Sequence, residues 1–90
     1  MFMKMVEAHH RLLVFNSVHR VMVAEQKLMH EYDILLIPVP AAITADCGMV
    51  LRINDVDEDP ATRLLVKSGL QPFSVYAPEG GGYVEVRKFS

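Results

Sequence analysis

Apolar residues recur along this chain with two different periods, and the switch between them lays out the elements. Arg11-Leu12-Leu13-Val14-Phe15-Asn16 is a short run of strand formers and predicts the first strand. Asn16 and Ser17 then offer side-chain oxygens suited to capping the free N–H groups of a helix. Over residues 18–32 the apolar positions Val18, Val21, Met22, Leu28, Met29 and Tyr32 return in helical steps. They predict one buried stripe, with Arg20, Glu25, Gln26 and Lys27 turned outward or to its edge. Ile34-Leu35-Leu36-Ile37-Pro38-Val39 reads as a second strand buried on both faces or nearly so. Pro38 donates no ladder bond, so the strand ends there or faces outward at an edge.

Residues 40–46 read as a loop rich in small side chains, which Cys47-Gly48 closes before a third strand over 49–53. A polar, acidic connection leads to Asp59, expected as helix cap, and Pro60, expected at the first helical position. Ala61, Leu64 and Leu65 are expected to face inward, and Gly69 to stop the helix. Residues 73–76 read as a fourth strand, Gly80-Gly81-Gly82 as a turn, and 83–89 as a fifth strand or hairpin return. The order β-α-β-β-α-β is the split β-α-β pattern of ferredoxin-like α+β domains, here with an added C-terminal strand. The expected division is an N-terminal arm (1–10), the main domain (11–78), and the Gly-rich turn with its strand (79–90).

Composition narrows the function classes. Ninety residues make one domain. One cysteine allows no internal disulfide framework and no four-cysteine zinc knuckle, which fits a reducing cytoplasm. Nine basic against eleven acidic residues speak against a nucleic-acid binder relying on phosphate electrostatics. The longest stretch without a charge, 34–45, is too short and too broken by prolines for a bilayer span of about 20 residues. The apolar start is interrupted by Lys4 and Glu7 and lacks the pattern of a signal peptide.

The chain holds no P-loop, dinucleotide fingerprint, zincin motif, nucleophile elbow or calcium loop. The acidic cluster Asp55, Asp57, Glu58 and Asp59 reads as a solvated helix entry. His9, His10, His19 and His30 lack partners at ligand spacing, so no metal site and no cofactor are expected; His30 fits a helix C-terminus. The six methionines read as core filler.

Cys47 is the candidate for chemistry. With the third strand paired to the first, Cys47 starts beside Asn16, near the N-terminus of helix one. Unpaired N–H donors there favour a thiolate, and Ser17, His19 and Arg20 lie in or beside that first turn. Gly48 lets backbone or substrate approach closely, while the carboxylate of Asp46 opposes ionisation of the thiol. Against this stands the plain alternative of a cysteine buried as a small hydrophobe.

Three stretches carry a resemblance to a known family: 16–28 after the first strand, Leu36-Ile37-Pro38-Val39-Pro40, and Asp46-Cys47-Gly48-Met49-Val50-Leu51-Arg52. Together they resemble the small selenium/sulfur carrier protein-like family over roughly residues 11–76. Cys47-Gly48 matches the family's Cys-Gly, and Ser17 and Glu25 match its helix. Ala45-Asp46 stands where the family usually carries Ser-Ser. The resemblance implies that Cys47 accepts and passes on a persulfide or perselenide, as a group carrier rather than a turnover enzyme. It also implies a cysteine desulfurase-like donor and an acceptor protein as partners. The rival reading is a ferredoxin-like interaction or small-ligand module acting through a sheet face or the 83–89 edge, or as a homodimer.

Overall fold

The computed structural model describes residues 5–43 and 48–90 of the chain. The elements are β1 (His10–Phe15), α1 (Val18–Leu28), β2 (Leu35–Pro38), β3 (Met49–Asn54), a 3₁₀ turn (Asp55–Asp57), α2 (Glu58–Lys67), β4 (Phe73–Glu79) and β5 (Gly82–Phe89). The strands form one antiparallel sheet in the order β2-β3-β1-β4-β5. The molecule is therefore α+β, and the C-terminal segment joins the sheet as a fifth strand.

Alternation along the strands splits the apolar residues between two faces. Leu13, Phe15, Leu51, Ile53, Phe73 and Val75 meet Val21, Ala24 and Leu28 of α1 and Ala61 and Leu65 of α2 in the main core. Both helices thus lie on one face. Leu12, Ile37, Ile43 and Val50 form a second cluster on the other face, where Val6, Val39, Tyr76 and Tyr83 pack against them. The extra strand is bound into the main core by Phe89, whose ring stacks on Phe73 with centroids 4.6 Å apart.

The residues of α1 correct the expected stripe. Val21, Ala24 and Leu28 face the core, while Val18, Met22 and Met29 are about half exposed. At about 100° per residue those three lie roughly a quarter turn from the buried line. The small Ala24 side chain marks the side of the helix that approaches the sheet. The helix also ends earlier than expected. The Leu28 carbonyl accepts from the N–H groups of both Glu31 and Tyr32, so His30 lies in the turn beyond the helix.

β2 is an edge strand and not buried on both faces: Leu35 is exposed, and the strand ends at exposed Pro38 opposite Met49. The entry to α2 differs as well. Asp57 occupies the cap position, Glu58 and Asp59 begin the helix, and Pro60 follows within the first turn. No intrahelical bond is lost, because the first four N–H groups of a helix have no partner inside it. Glu58 and Asp59 do not simply face solvent. Glu58 pairs with Arg11 (3.5 Å) and Arg87 (3.4 Å), and Asp59 with Arg87 (2.7 Å), tying the helix to β1 and β5.

α2 stops at Gly69 as expected, with the N–H groups of Gly69 and Leu70 donating to the carbonyls of Val66 and Leu65. The β4–β5 turn is a two-residue hairpin loop. Glu79 pairs with Gly82, and Gly80 and Gly81 hold φ of +57° and +85°, the pair of left-handed conformations that a type I′ turn needs. A bulge between Val75 and Tyr76 shifts the register before Arg87, which turns Arg87 and Phe89 to the helix side.

Candidate functional site

The sequence places its candidate chemistry at two elements, the N-terminus of α1 and the return into β3. Ser17 is the N-cap, in extended conformation, and its Oγ accepts from the Arg20 N–H at 3.2 Å. This leaves other N–H groups of the first turn for water or an anion. Asn16 and His19 are exposed, and neither provides the cap. The Arg20 guanidinium does not lie free over the helix end. Its Nη1 donates to the carbonyl of Gln71 at 2.9 Å, bracing α1 against the approach to β4.

β3 pairs with β1 as expected, with Leu13 opposite Leu51. The ladder between them runs from His10 opposite Asn54 to that pair, short of Asn16 and Gly48. Gly48 is exposed at φ +72°, and a Cβ built there would meet nothing within 4 Å. Glycine is selected at this position by the backbone, since the left-handed region is costly for other residues. The Gly48 carbonyl accepts from the Val39 N–H at 2.9 Å, which fixes the return of the loop to β2. The loop's departure is fixed too: the Ile43 N–H donates to the Pro40 carbonyl at 2.9 Å, and Ile43 is buried in the second cluster. Asp46 and Cys47 lie outside the described residues.

The sheet face away from the helices carries a feature that sequence reading missed. An open cleft of about 540 Å³ lies between the arm (residues 5–8), Ile37, Pro38 and Pro40 at the end of β2, and the hairpin over residues 78–83. Its charged lining residues are Glu7 and Glu79. Pro38 and Pro40 flank Val39, so the cleft reaches the backbone that binds Gly48. No local motif announces it, because its walls come from segments far apart in the chain.

Beside the cleft, His10 closes a tight turn in both directions. Its N–H donates to the Glu7 carbonyl at 2.9 Å, and its Nδ1 accepts from the Glu7 N–H at 2.9 Å. The residue is only 7% exposed. Burial lowers the imidazole pKa below 6.5, helped by Arg52 and His9 and opposed by Glu7 and Asp33. Among the described residues no group of three or more His, Cys, Asp or Glu is placed to hold a metal ion.

The model of the family described as "Putative Se/S carrier protein-like" matches residues 10–77. No curated protein and no solved structure matches the chain. No described helix is long and apolar enough to cross a membrane.

Proposed function

The chain belongs to the Se/S carrier protein-like family, and from that premise we propose that it carries sulfur or selenium on Cys47. In this reading the Cys47 thiolate attacks the terminal sulfur of a donor persulfide. The donor's S–S bond breaks, the donor leaves as a thiolate, and Cys47 keeps the transferred sulfur as a new persulfide. Attack by an acceptor thiolate on that outer sulfur then returns Cys47 to its starting state. A perselenide follows the same course. No redox partner is consumed, because each S–S bond broken is replaced by one formed.

The observation that carries this reading is the family match, which spans both β-α-β halves. The surroundings support it. Cys47 precedes β3, which pairs with the strand that leads into the capped start of α1, where helix N–H groups favour an anion. The ferredoxin-like assignment belongs to the same proposal: both helices cover one face, and β4-β1-β3-β2 is the core to which β5 is added. The donor is a desulfurase-like protein, the acceptor a second protein, and the setting the cytoplasm. The direct test is the pH dependence of Cys47 alkylation. Carrier chemistry predicts a thiol titrating below the free value of about 8.5, and a thiol at or above that value speaks against it.

A second reading is favoured by the outer strand. β5 is an edge, and Val84 and Val86 on it are 40% and 45% exposed. Such an edge suits an interaction module that pairs with another strand, including that of a second copy. Deletion of residues 80–90 tests it, with loss of self-association in gel filtration as the supporting result.

A further inference from the structure

His10 is the buried titratable group that the carrier chemistry does not use, and it sits at the base of the arm that walls the cleft. Besides the packing of Val6 on the second cluster, the arm is held by the His10 N–H donating to the Glu7 carbonyl at 2.9 Å, by Arg11 Nη1 donating to the Ala8 carbonyl at 3.2 Å, and by two further hydrogen bonds. The Glu7 N–H donates to His10 Nδ1 at 2.9 Å, and Arg52 Nη1 donates to the Met5 carbonyl at 2.7 Å. The Glu7 bond to Nδ1 exists only while that nitrogen keeps its lone pair. We infer that His10 is a proton-operated clasp: when the imidazole takes up a second proton, residues 5–8 leave the sheet and the cleft opens.

The chemistry at the clasp is one-sided. A protonated Nδ1 is a donor facing another donor, so the Glu7 contact turns from attraction to repulsion. The same proton creates a cation close to Arg52, the residue that holds the other end of the arm. The charged and titratable groups facing His10 come from each element around it: Glu7 on the arm, His9 just before β1, Asp33 before β2 and Arg52 on β3. Burial, Arg52 and His9 disfavour the cation, while Glu7 and Asp33 favour it. The protonated state is therefore reached at lower pH than for an ordinary histidine. There it removes one wall of the cleft and uncovers the apolar cluster beneath Val6. The proposal stands independently of the carrier reading.

The test is an NMR titration of the full chain from pH 7.5 to 5.0, following the His10 ring nitrogens and amide-exchange protection at Glu7. At pH 7.5 the expected pattern is a bare Nδ1 and a protonated Nε2. As Nδ1 gains its proton, Glu7 protection is expected to fall by up to about tenfold, while Leu13 and Val75 in the core stay protected. Two variants separate the clasp from general acid loosening. His10→Asn keeps an acceptor of similar reach but cannot titrate, and should hold Glu7 protected down to pH 5.0. His10→Phe has no acceptor and should leave Glu7 unprotected at every pH. Retention of Glu7 protection through the His10 titration, or loss of it in His10→Asn at the same pH, overturns the proposal.

Discussion

The carbonyl of Gly48 accepts a hydrogen bond from the N–H of Val39 at 2.9 Å. This single contact ties the residue that follows Cys47 to the residue between the two cleft prolines. It makes the return of the loop a fixed point of the fold, although no strand pair covers it: the β2–β3 ladder ends at Pro38 and Met49.

Gly48→Ala should therefore act through the backbone alone. A Cβ would meet nothing within 4 Å, so no clash contributes, but φ of +72° is strained for alanine. The expected loss is about 1 kcal/mol, read as a lower urea midpoint at unchanged slope. A midpoint equal to that of the parent would show that the left-handed turn is not held in solution.

Ser17→Ala removes the side-chain acceptor for the Arg20 N–H. Cap removal of this kind costs about 1 kcal/mol, whereas Ser17→Gly costs only a few tenths. Urea unfolding of the two variants should give that order. If the carrier reading holds, Ser17→Ala should also raise the alkylation pKa of Cys47, because the first turn of α1 frays.

Phe73 packs between Phe15 and Phe89, with ring centroids 5.3 and 4.6 Å away, and is 3% exposed. Truncation to alanine should cost about 3–5 kcal/mol. A chain of this size is stabilised by only about 5–13 kcal/mol in all. Phe73→Ala should thus melt far below the parent, and thermal unfolding by circular dichroism measures it.

Stability should also depend on pH through His10. Its folded pKa lies below the unfolded value of 6.5, so between the two values the unfolded chain binds more protons. The contribution is fully present above pH 6.5. It declines as pH falls below 6.5 and is gone once the pH is below the folded value. Urea midpoints of the parent should drop over that window more steeply than those of His10→Asn, and parallel curves would refute the assignment.

Much of the architecture was legible because strand and helix periods differ. Leu12, Leu13 and Phe15 announced β1, the small-residue loop and Gly69 marked turns, and the Gly80-Gly81 hairpin was a local signal. The errors share a cause. Val18, Met22 and Met29 are apolar, but which side of α1 meets the sheet is decided by the contacts of Ala24 and Val21 with distant strands. β2 looked doubly buried from its composition, yet its edge position follows from pairing order alone. Within the candidate site, the Ser17 cap was readable from capping chemistry, whereas Gly48, read as room for close approach, holds a left-handed backbone position. The Arg20–Gln71 bond and the cleft were not readable, since each joins segments that a local pattern cannot connect.

The central claim is tested most directly by mass spectrometry of the intact chain after incubation with a desulfurase and cysteine. The account predicts a mass gain of one sulfur atom, located on the peptide containing Cys47, removed by a thiol reductant and absent from Cys47→Ser. An unmodified chain, when the desulfurase loads its own cysteine under the same conditions, would contradict it.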